Sequence, residues 1–76
     1  MTVHFLVAGE ASPDLPLRVL NLLALRSIAF DAASVERDGD TYRIGVAVSG
    51  LENGVAELLL AKMRALVLVE SATLSS

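Results

Sequence analysis

The chain of 76 residues is expected to fold as one α+β domain, residues 1–76, in the order β-α-β-β-α-β. Three observations predict this. Two helical patterns are each flanked by strand-like runs, an Asp-Gly pair separates the two central runs, and 54% of the residues are apolar. That last figure exceeds the roughly 45–50% of ordinary soluble domains. A chain this short buries only about 60% of its unfolded surface, so contiguous apolar residues are left over for a partner to cover.

Thr2 to Ala8 (TVHFLVA) alternates Val3, Phe5 and Val7 with Thr2, His4 and Leu6, the period of a half-buried strand. Gly9 closes it, and a helix follows from Ser12-Pro13-Asp14. Ser12 can accept a first-turn N–H, Pro13 loses nothing at the first helical position, and Asp14 complements the positive helix end. Asp14 also stands four residues before Arg18, the spacing of an ion pair. Pro16 is tolerated this early because first-turn N–H groups have no intrahelical partner. This helix is expected to reach Ser27. Positions 15, 19, 22, 23 and 26 form one stripe, apolar except for Arg26, and Leu17, Leu20, Ala24 and Ile28 form a second. A surface helix needs only one.

Phe30 to Arg37 and Thr41 to Ser49 read as two strands. Asp38-Gly39 lies between them, and Asp-Gly is a preferred hairpin dipeptide because glycine accepts positive φ. Ser49 and Glu52 have the spacing of a capping box. The second helix, extending to Leu66, places Val55, Leu58, Leu59, Met63 and Leu66 on one face. Val67 to Thr73 closes the sheet. Two crossovers around a central hairpin make the ferredoxin-like arrangement, with both helices on one face of a four-stranded antiparallel sheet. The other face carries Leu6, Ala8, Gly45 and Ala47, small or apolar residues rather than charges.

The formal net charge is −3, and the six Lys and Arg are scattered. Without a concentrated positive face, nucleic acid is not an expected partner. The absence of cysteine excludes disulfides, a thiol nucleophile and thiolate zinc sites. MTVHFLVAGE has no basic leader, so no signal peptide is expected. Asp14, Arg18 and Arg26 interrupt the leucine-rich run Ser12–Phe30, which is too polar for a membrane span. The expected compartment is the cytoplasm.

No catalytic residue is assigned. His4 is the only histidine and has no acidic or nucleophilic neighbour in sequence. Glu36, Asp38 and Asp40 cluster at the hairpin tip, where a solvated turn explains them better than a metal site. An acylphosphatase-like activity would call for an arginine in the first loop and an asparagine on the third strand. The loop GEASPDLP and the strand TYRIGVAVS hold neither. No metal and no cofactor are expected.

Pro13, then Arg18-Val19-Leu20, Leu22, Leu23 and Arg26, with Ile28 and Phe30 leading into the second strand, resemble the start of an ACT domain. More narrowly, they resemble the short single-domain small regulatory subunit of acetolactate synthase. Leu66-Val67-Leu68-Val69 resembles that family's approach to its last strand. The resemblance implies a non-catalytic subunit that pairs with itself and activates a large thiamine-diphosphate-dependent catalytic subunit in branched-chain amino-acid biosynthesis. An ACT-type amino-acid sensor for another enzyme is the alternative.

It also implies an effector site for a small amino acid at Ala11, Ser12, Pro13, Asp14 and Leu15, with Ala29. Here the chain departs from the family. Ala11 and Ala29 stand where relatives have asparagine, and Asp14 stands where they have glycine. A ligand carboxylate would meet the Asp14 carboxylate, and like charges at short range disfavour binding. Weak or absent valine feedback is expected. Partner surfaces are expected at Leu6, Gly45 and Ala47 on the open sheet face and at Leu17, Leu20 and Ala24 on the first helix.

Overall fold

The computed structural model describes residues 1–76. The elements are β1 (Thr2–Glu10), α1 (Asp14–Ala24), β2 (Ala32–Asp38), β3 (Thr41–Ser49), α2 (Asn53–Arg64) and β4 (Val69–Ser75). The sheet order is β2-β3-β1-β4, with every neighbouring pair antiparallel. This is the expected ferredoxin-like α+β fold.

Alternation along the strands decides which side is buried. Val3, Phe5 and Val7 of β1, Ile44, Val46 and Val48 of β3, and Ala72 of β4 face the helices. Leu15, Val19 and Leu23 of α1, with Ala56, Leu59, Leu60 and Met63 of α2, complete that core. β2 contributes nothing to it, and all seven of its residues are exposed. The register lays the open face out in rows across β2, β3, β1 and β4. One row is Ala32, Ala47, His4 and Ser75; the next is Ser34, Gly45, Leu6 and Thr73; a third is Glu36, Arg43, Ala8 and Ser71.

Several boundaries differ from expectation, each for a local reason. Gly9 does not end β1, which continues to Glu10. A Cβ on Gly9 would collide with the Leu68 carbonyl oxygen and come within 2.8 Å of Leu15 Cδ2, so glycine serves close approach here rather than a stop. The helix α1 ends at Ala24 rather than Ser27. Ile28 N–H donates to the Leu23 carbonyl and Ser27 N–H to the Ala24 carbonyl. With Ser27 at φ 55°, this is a Schellman termination in which serine occupies the position glycine prefers. The Asp14–Arg18 pair does not close; the one ion pair is Arg43–Asp38 at 3.6 Å.

The β2–β3 turn is centred on Gly39 and Asp40, one residue later than expected, because Asp38 is the last paired residue of β2. Gly39 supplies the positive φ of 60°. The capping box does not form. Glu52 itself is the N-cap of α2 with extended backbone, and its carbonyl accepts from Ala56 N–H. The buried face of α2 is Ala56, Leu59, Leu60 and Met63, while Leu58 is 46% exposed. The closing strand starts at Val69, two residues later than expected, after a turn in which Val69 N–H donates to the Leu66 carbonyl.

Candidate functional site

The β1–α1 loop, where the resemblance places an effector site, packs against the β2–β3 hairpin. Ala11 N–H donates to the Asp40 carbonyl at 2.8 Å, Ser12 N–H to Glu10 at 2.7 Å, and Leu15 N–H to Ser12 at 3.1 Å. Asp14 N–H approaches Ser12 Oγ at 3.4 Å, and Pro13 has no N–H to offer. The backbone N–H groups with which such a loop could hold a carboxylate are therefore committed within the chain. Glu10 and Asp14 are exposed at the loop, and the hairpin beside it adds Asp38 and Asp40. The hairpin's arginines are engaged locally: Arg37 Nε donates to the Gly39 carbonyl at 2.9 Å, and Arg43 pairs with Asp38.

Ala29 lies at the far end of α1 from this loop. Asp31, two residues on, donates its N–H to Ala47, which pairs with His4 at the opposite end of β1 from Glu10. Six residue steps of strand separate His4 from Glu10, about 20 Å. A single copy thus brings Ala11, Ser12, Pro13, Asp14 and Leu15 together but not Ala29.

The expected interface residues fall into two patches. Leu6, 53% exposed, projects from the open face beside Gly45. A shallow hollow of about 260 Å³ lies there, lined by His4, Ala32, Ala33, Ser34, Gly45 and Ala47. On α1, Leu17 is 68% exposed and Ala24 is exposed, whereas Leu20 packs against the core. The second stripe on α1 is therefore split. The same exposed side of this helix carries Asp14, Arg18 and Asn21.

Sequence reasoning missed Leu25, Leu58 and Val67, which the structure leaves exposed. Leu25 follows the helix end set by Ser27, and Leu58 lies one position off the buried face of Ala56, Leu59, Leu60 and Met63. No signal in the sequence separates Leu58 from its buried neighbours Leu59 and Leu60.

No three His, Asp or Glu side chains converge as a metal-ligand set, and no helix is long and apolar enough to cross a membrane. With both helices on one side of its sheet, an exposed sheet face and a loop at the start of α1, the molecule has the two-layer architecture of the ferredoxin-like fold. A family model described as an ACT-like domain matches residues 1–76, and the chain belongs to that family.

Solved structures agree in fold. The ACT domain from the GTP pyrophosphokinase of Chlorobium tepidum superposes with a TM-score of 0.81 at 9% identity, covering 99% of this chain and 97% of that one. The regulatory subunit of aspartate kinase from Thermus thermophilus gives 0.71 at 20% identity, covering 99% of this chain and half of that one. A homoserine dehydrogenase from Thiobacillus denitrificans gives 0.80 at 18% identity, over 96% of this chain and 16% of that one. A sequence search of curated proteins finds no match.

Proposed function

We propose that this ACT-like domain is a cytoplasmic regulatory subunit that pairs with a second copy of itself. In this reading it raises the activity of the large thiamine-diphosphate-dependent subunit of acetolactate synthase in branched-chain amino-acid biosynthesis. The family membership and the residues Pro13, Arg18, Val19, Leu20 and Arg26 support this reading. The exposed side of α1, with Leu17 and Ala24, is the surface offered to the large subunit. Valine feedback is weak or absent. The observation that carries this last point is the closed β1–α1 loop, where Ala11, Ser12 and Leu15 N–H groups all donate to backbone carbonyls of the same chain.

Calorimetric titration of the purified chain with valine tests the closed loop. Heats indistinguishable from dilution are expected, and micromolar binding would overturn it. Copurification with the large subunit from the same organism tests the partnership. Retention of the large subunit on a tagged copy of this chain, lost in Leu17→Glu, is expected. No retention by the unmodified chain rejects this partner in favour of an ACT-type amino-acid sensor acting on another enzyme.

A further inference from the structure

We propose that the open sheet face pairs with the same face of a second copy, about a two-fold axis running along the strands between β1 and β3. This rests on the self-pairing reading and assigns it a surface. Because β1 and β3 are in register, such an axis sets each β1 side chain on the second copy's equivalent of its own β3 partner. Leu6 then enters the hollow over Gly45, and His4 stands over Ala47. The projecting side chains of β1 meet the smallest side chains of β3, and each contact occurs twice. A two-fold axis across the strands through the Leu6–Gly45 row would instead stack Gly45 on Gly45 and leave the hollow empty, contrary to the close packing of protein contacts.

The charges favour the same axis. The two rows containing His4 and Leu6 hold no Asp, Glu, Lys or Arg. Arg43 pairs in register with Ala8, so the axis lays its stem across the second copy's Ala8. Reaching Glu10, the next open-face residue of β1, exchanges the guanidinium's exposed 3.6 Å contact with Asp38 for the second copy's carboxylate. Glu36 and Asp38 of the two copies lie on opposite lateral edges of the contact, separated by the sheet width.

The area sets the strength. Four strands about 4.8 Å apart, over about seven residues of about 3.4 Å rise, present roughly 450 Å² per copy, or about 900 Å² in total. Stable interfaces bury about 1,200–2,000 Å². The pairing is therefore reversible and concentration-dependent.

Sedimentation velocity over a range of concentrations tests the assignment, with circular dichroism confirming the fold of each variant. The unmodified chain is expected to show a monomer–dimer equilibrium. Gly45→Glu and Leu6→Glu should each raise the dissociation constant at least tenfold. Val35→Glu, on the exposed edge strand β2, should leave it unchanged. Arg43→Glu should weaken pairing, and Glu10→Arg combined with Arg43→Glu should restore it. A dimer that survives Gly45→Glu and Leu6→Glu but dissociates in Val35→Glu overturns this surface while leaving self-pairing intact. A monomer at every concentration overturns self-pairing as well. A monomer whose binding to the large subunit is lost in Gly45→Glu reassigns the face to that partner.

Discussion

Gly9→Ala provides a demanding check of how the β1–α1 corner is built. The new methyl would meet the Leu68 carbonyl oxygen and lie 2.8 Å from Leu15 Cδ2. The leucine tip could move, but the carbonyl is held as the acceptor of Glu10 N–H at 3.0 Å. Relieving the clash therefore costs that hydrogen bond, about 1 kcal/mol, plus overpacking strain of about 1–3 kcal/mol. Reduced freedom of the unfolded chain returns only about 0.4–1 kcal/mol. The net loss is about 1–3 kcal/mol. A domain of this size has roughly 4–11 kcal/mol of stability in total. With about 4–8 °C per kcal/mol for a small domain, thermal unfolding followed by circular dichroism should shift down by roughly 4–24 °C. An unchanged or raised midpoint would refute the close approach of β1 to Leu68.

Ser27→Gly should stabilise the fold by about 1 kcal/mol, because serine occupies φ 55° where glycine carries no Cβ penalty; urea unfolding with an unchanged slope and a higher midpoint is the expected readout. Leu59→Ala should cost about 2–5 kcal/mol as a cavity in the core, whereas Leu58→Ala should change stability by less than about 1 kcal/mol, since Leu58 is 46% exposed. Equal losses at the two positions would mean that α2 is rotated from the orientation described.

The open face was legible because strand periodicity leaves no choice: once Val3, Phe5 and Val7 face the core, Leu6 and its neighbours face away. β3 appeared with its exact bounds, Thr41–Ser49, since an alternating apolar run is bounded there by a turn and a glycine. The helix ends were less legible. Ser27 in the left-handed region is an outcome of the Leu23–Ile28 closure, not a residue preference. Ser49 and Glu52 have the spacing of a capping box, but Gly50 at φ 73° redirects the chain and makes Glu52 the N-cap.

The buried face of α2 was misread for a different reason. Three consecutive leucines, Leu58, Leu59 and Leu60, fit more than one helical face, and packing against the sheet chooses between them. For the effector loop, residue identity pointed to Asp14, Ala11 and Ala29. The commitment of the loop's N–H groups to Asp40, Glu10 and Ser12 depends on tertiary contact with the hairpin and leaves no mark in local sequence. The distance of Ala29 from that loop likewise follows from the length of α1 and the path of the chain beyond it.

The partnership is tested most directly by the turnover rate of the large thiamine-diphosphate-dependent subunit from the same organism, measured alone and with increasing amounts of this chain, in the presence and absence of valine. The expected result is a saturable rise in acetolactate formation that valine does not reverse. An unchanged rate at saturating amounts of the chain would contradict the regulatory role proposed for it.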